Sequence, residues 1–175
     1  MELKPLEHNP LGTDSFPTNV PTQLEYIFPE IDGRAIKFKR VTTVREGDPD
    51  LIFPDRSEFE RGPITDLLNI EIRMTCFVQI TLINDKYDWF WRPEDAITTA
   101  VSRRNYYRQL RYLVGKTWLK QPSDDGVCHT IRFGAVYRGG QEGPKDPFNM
   151  NVILDWGSDG LLPITIDPDL QNPKT

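Results

Sequence analysis

Arg103, Arg104, Arg108, Arg111, Lys116 and Lys120 fall between Ala96 and Ser123, a segment without a single Asp or Glu, and Tyr106, Tyr107, Tyr112 and Trp118 are interleaved with them. Guanidinium and ammonium groups hold phosphates and carboxylates, and flat aromatic rings stack on bases or anchor protein partners. The chain carries −5 overall and +6 in this segment, hence −11 on the rest, so its field is two-sided. Such a segment suits a polyanion, an acidic protein, or the acidic side of a second copy of the chain. The candidate partner-binding residues are therefore Arg103, Arg104, Tyr107, Arg108, Arg111 and Lys116. Trp89 and Trp91 join them, because in the run Trp89-Phe90-Trp91 a ring that does not cap the core is free to anchor a partner.

Other chemistry has less to stand on. Asp155-Trp-Gly-Ser-Asp159-Gly160 opens like a calcium loop but has Ile166 where the bidentate Glu belongs. Turn-forming Asp and Gly explain it without a metal, and the same holds for Asp48-Pro49-Asp50 and Asp167-Pro168-Asp169. His8 lies far from the strand patterns, while Cys128 and His129 are neighbours that a strand points to opposite faces, so they make no nucleophile and base. The sequence has no Gly-x-Ser-x-Gly elbow and no phosphate loop, and two histidines with two cysteines do not compose a zinc site. No catalytic residue, cofactor or metal is assigned.

The elements that must position these groups are mostly strands. A chain of 175 residues suits one core. Pro5, Pro10, Pro17, Pro21 and Pro29 make residues 1–22 an extended arm, ahead of a single β-rich domain over 23–175. Ile70, Ile72, Met74, Cys76, Val78, Ile80 and Leu82 alternate with mostly polar residues, which predicts one long strand buried on one face. Leu24 to Phe28 and Ala35 to Val44 flank the turn pair Asp32-Gly33 and predict a hairpin. Ile131 to Tyr137, Phe148 to Trp156 and Leu161 to Ile166 predict a three-strand meander, with Pro163 placing the last strand on an edge. Residues 45–65 read as a long connection.

One helical segment is expected in the basic region. Pro93, Glu94 and Asp95 make a good first turn, and Ile97, Ala100, Val101, Tyr106, Tyr107, Leu110, Leu113 and Val114 recur at helical spacing up to Gly115. The fold class is mainly β, an antiparallel β-sandwich-like domain with one helical segment, with α+β as the alternative. Cys76 and Cys128 are expected as buried reduced thiols. With no basic start followed by an apolar run, and no sequon, the expected location is cytoplasmic.

The segments Phe148-Asn-Met-Asn-Val and Leu162-Pro-Ile-Thr-Ile-Asp-Pro-Asp-Leu-Gln-Asn-Pro173 resemble the tail of a family of small bacterial proteins labelled nucleotide synthetases, over the C-terminal third of the chain. The resemblance implies a bacterial, cytoplasmic protein and a nucleotide-related role; it carries over no site residue. Three functions follow from the sequence. The first is a non-enzymatic interaction or self-assembly module, a homo-oligomer or a binder of an acidic protein, using the basic aromatic helix and edge strands. The second is a nucleotide or nucleic-acid binder using Arg103, Arg104, Arg108 and Arg111. The third is a carboxylate-dependent metal enzyme using Asp155, Asp159, Asp167 or Asp169.

Overall fold

The computed structural model describes residues 2–7, 16–32, 35–47, 49, 64–65, 68–84, 87–114, 117–119, 127–141, 145–155, 157–171 and 173. These residues form two seven-stranded sheets. The first contains β1 (Leu3–Pro5), β5 (Ile70–Glu71), β7 (Asp88–Trp91), β8 (Ile97–Ala100), β12 (Lys145–Asp155), β13 (Leu161–Ile166) and β14 (Asp169–Gln171). The second runs β10 (Thr117–Leu119), β9 (Tyr107–Val114), β11 (Thr130–Ala135), β6 (Cys76–Leu82), β2 (Thr22–Asp32), β3 (Ala35–Arg45) and β4 (Ile64–Thr65).

β12 is the spine of the first sheet. Its eleven residues alternate inward Asp146, Phe148, Met150, Val152 and Leu154 with more exposed neighbours. It pairs along one side with β8 and β7 and along the other with β14 and β13. The inward residues of both sheets meet in one apolar cluster that includes Ile70, Val78, Ile80, Trp89, Trp91, Ile97, Tyr107, Leu110, Phe133 and Phe148. A smaller cluster of Leu24, Tyr26 and Phe28 lies on the outer face of the second sheet.

The mainly β class and the 24–44 hairpin agree with the sequence; β2 pairs β3 from Thr22↔Arg45 to Asp32↔Ala35. Four expectations are corrected. The sheets are mixed and not purely antiparallel, because β2 pairs β6 and β14 pairs β5 in parallel. The long strand over 69–83 is two strands, with Met74 exposed at the break, and β6 is buried on both faces. The meander is split, since β11 belongs to the second sheet and β12 and β13 to the first. As expected, β13 is an edge, pairing among the described residues with β12 alone, and Pro163 lies opposite Ile153.

The fourth correction concerns the helix. Residues 97–114 form β8, a three-residue 3-10 turn at Val101–Arg103, and β9. β-branched Ile97, Thr98 and Thr99 and aromatic Tyr107 and Tyr112 favour the pleated surface over a helix. The helical spacing has a specific cause. Arg111 pairs with Arg132 and Arg108 with Gly134, so β9 carries one more residue than β11 across that interval. The extra residue is Gln109, at φ 60. This bulge lets inward Tyr107 and Leu110 stand three apart instead of two, which imitates the helical period. The proline-rich arm is partly docked: β1 pairs β8, and Phe16 is buried against the second sheet.

Under β2 and β3 lies a buried acid, Glu25, 1% exposed. Thr42 Oγ1 and Gln23 Nε2 donate to its two oxygens at 2.6 and 2.8 Å, and Arg40 Nε stands 3.6 Å away. Burial raises its pKa above the ordinary 4.5 in spite of Arg40, Thr42 and Gln23, which lower it. The folded state therefore keeps a proton that the unfolded chain has lost, so this contribution to stability is full below pH 4.5 and disappears as pH climbs through the raised value. The slope is at most about 1.4 kcal/mol per pH unit. Glu25→Gln is expected to flatten that part of the profile; urea unfolding of both proteins from pH 4.5 upward checks it, and identical profiles would contradict the assignment.

Candidate anion-binding site

Strand alternation sorts the basic segment into two populations. Tyr107 points inward and donates its hydroxyl to Asp146, which is 0% exposed. Arg138 grips the same carboxylate with two bonds of 2.5 and 2.9 Å, and Arg103 Nε lies 3.2 Å from it. Burial, and then the adjacent Asp146, push the Tyr107 phenol up, so it stays a neutral donor. Burial alone would lower Arg138, but Asp146 outweighs it and raises the guanidinium's pKa. Arg138 also donates to the Gln141 carbonyl at 2.8 Å across a turn in which Gly139 and Gly140 hold φ of 62 and 75. Its guanidinium lies 5.0 Å over the Tyr106 ring. The cluster bolts the second sheet, through Tyr107, to the first, through Asp146.

Arg104 is likewise committed internally, donating to the Pro5 carbonyl at 2.8 Å with Glu7 at 3.6 Å. Trp89 and Trp91 are core residues and not surface anchors; their indole N–H groups donate to the carbonyls of Ile83 and His129. Lys116 lies outside the described residues.

Arg108 and Arg111 point the other way, to the outer face of the second sheet. The register places Gln79 beside Arg132 and Arg132 beside Arg111, one row across three strands. The next row is Phe77, Gly134 and Arg108. The Arg132 guanidinium sits 4.1 Å over the Phe77 ring and that of Arg111 5.8 Å from it. Phe16 packs on the same ring with centroids 5.0 Å apart. It can do so because Gly134 has no side chain: a Cβ there would stand 2.8 Å from the Phe16 ring.

Arg132, only 4% exposed, and Arg111, half-buried, stand opposite one another on neighbouring strands, and Arg132 has partners beyond the Phe77 ring. No described carboxylate pairs with Arg111 or Arg108; Arg111 donates to Gln109 Oε1 at 3.0 Å and Arg108 to the Asn105 carbonyl at 3.2 Å. Gln79 is 2% exposed, and among the described residues neither its Nε2 nor Arg111 Nε has a hydrogen-bond partner. Orphaned buried donors cost free energy unless something accepts from them. Gln109, between Arg108 and Arg111, holds a left-handed φ that an ordinary residue rarely adopts.

The remaining candidates are dispersed. His129 Nε2 lies 2.9 Å from Asp88 Oδ1 and 3.0 Å from Asn84, which itself donates to Asp88 at 2.6 Å. Cys128 faces the core, away from His129, and its thiol donates to the Leu113 and Thr130 carbonyls. Both cysteines are free and buried, and burial pushes Cys76 up to about 12 and Cys128 to about 11. Asp155 accepts from the Gly157 N–H at 2.8 Å, an ordinary turn, and Asp169 lies 3.8 Å from Lys145. Asp167 is exposed.

Sequence reasoning missed Gln79, Arg132, Arg138 and Asp146. Gln79 and Arg132 occupy the polar half of an alternating pattern, where side chains ordinarily meet water. Burial on both faces of β6 and β11 is what changes their meaning. The arrangement defines a two-sheet β protein with a partly covered basic row on its outer face. The chain matches, over residues 14–175, the model of a family described as a predicted novel nucleotide synthetase, and it belongs to that family. The likeness thus extends well beyond the C-terminal third. No curated protein matches the chain. Among the described residues no helix is long and apolar enough to cross a membrane.

Proposed function

We propose that this protein handles nucleotides and binds their phosphate groups on the outer face of the second sheet, at Arg111 and Arg108 beside Gln79. The observation that carries the reading is that two buried donors on this face, Gln79 Nε2 and Arg111 Nε, have no acceptor among the described residues. Phosphate groups offer acceptors to such donors and negative charge to Arg111 and Arg108. The family description supports the nucleotide class of ligand. In the intact protein, calorimetric titration with ATP and GTP should show binding, and Arg111→Gln should weaken it about 10- to 100-fold, the worth of one charged hydrogen bond of about 1.5–3 kcal/mol. Wild-type protein that binds neither nucleotide at millimolar concentration would overturn the reading.

Self-assembly keeps one supporting feature, the edge strand β13, where Leu161 and Leu162 are exposed. The basic segment no longer favours it, since Arg103 and Arg104 are engaged within the molecule.

A further inference from the structure

We infer that Pro163 is a guard, which keeps the β13 edge of the first sheet from pairing with β13 of a second copy of the chain. The register fixes where its missing donor would point. Asn151 uses both of its backbone groups on one side of β12, donating to the Ala96 carbonyl at 2.8 Å and accepting from the Arg92 N–H at 3.0 Å. Backbone groups alternate sides along a strand, so Ile153, two residues on, also turns that way, toward its partner Phe90 on β7. Ile153 and the opposite Pro163 therefore face away from one another. Pro163 turns its nitrogen outward, and Leu161 and Thr165 turn their backbone groups to the same side.

The rest of that edge suits a partner strand. β13 reads Leu-Leu-Pro-Ile-Thr-Ile, and Leu161, 62% exposed, stands with exposed Pro163 and Thr165 along its outward side. Edges of this kind are where chains join, and charge, a bulge or a proline is a usual obstacle. β13 has no charged residue and no register shift against β12, which leaves the proline. The occupant that fits is the same strand of another copy. Antiparallel pairing about a two-fold axis at residue 163 sets Leu161 against Thr165 of the second copy and residue 163 against its own counterpart, the closed symmetry usual for homodimers. Proline at the centre removes both donors of the middle pair and leaves two carbonyls facing a ring.

Pro163→Thr restores the N–H without adding apolar surface, and threonine suits a strand. Neither it nor Pro163→Val touches a bond to β12, so the β12–β13 hairpin is kept. Sedimentation of the full chain over a concentration series is expected to give both variants a self-association constant at least about tenfold larger than that of wild type, a step of about 1.4 kcal/mol. Association of the Val variant alone would credit the side chain instead of the donor and overturn the inference, as would two variants no more associated than wild type. Amide exchange followed by NMR locates the contact. The Leu161 and Thr165 amides should exchange freely in wild type and become protected in Pro163→Thr as its concentration rises. Protection of both in dilute wild type would mean an edge already covered, and unchanged exchange in an associated variant would place the contact elsewhere; either result overturns the proposal.

Discussion

Asp146→Ala is expected to lower the stability of the protein by about 3–5 kcal/mol, the usual cost of leaving a buried charge without its partner. Its carboxylate is fully buried and serves Arg138, Arg103 and Tyr107 together. Deleting it takes from the Arg138 guanidinium, itself almost wholly buried between the two sheets, the carboxylate that accepts two of its bonds. Arg103 is more exposed and can turn to water. Replacing the pair as a unit, Asp146→Leu with Arg138→Met, should recover much of the loss, because well-packed apolar residues often substitute for a buried ion pair at little cost. Urea midpoints of the three proteins decide the matter. A single Asp146→Ala variant within about 1 kcal/mol of wild type would show that the cluster does not fasten the sheets.

The second large effect is expected at Trp91. Trp91→Ala removes a fully buried indole from the main cluster and should cost about 3–5 kcal/mol. Trp91→Phe should cost far less. It keeps an aromatic ring and gives up the indole bond to the His129 carbonyl, which still accepts from the Leu82 N–H at 2.8 Å. The net loss from that bond is about 0.5–1.5 kcal/mol. Thermal unfolding of the two variants provides the comparison. Were Trp91 an anchor for a partner, the Ala variant would keep its melting temperature and lose association instead.

Much of the fold is readable in the chain because period-2 patterns translate directly into half-buried strands. The β2–β3 hairpin and the β12 and β13 strands follow from alternation and turn residues. The basic segment misleads for a physical reason, since one inserted residue at Gln109 converts an alternating pattern into a three-residue spacing. Pairing partners are also invisible locally: nothing in Thr22 to Ile27 announces a parallel neighbour at Phe77 to Leu82. The site is half legible for the same reason. Arg108 and Arg111 stand out by type, but their companions Arg132 and Gln79 come from strands far away in the chain, and only the register brings the three strands into one row. Nor could composition separate Arg103 from Arg111, because the carboxylate that neutralises Arg103 lies on β12.

The parallel pairing of β2 with β6 has a kinetic consequence. During synthesis the β2–β3 hairpin can close on its own, but its inner edge must wait until Phe77 and its successors have been made. Until then it presents unsatisfied amides and the apolar residues Leu24, Tyr26 and Phe28 to whatever is nearby. Contacts of such long sequence separation slow the search for the native state, and open strand edges are where chains stick to one another. Yield on refolding should therefore depend on protein concentration, with dilution favouring the correct partner over a neighbouring molecule.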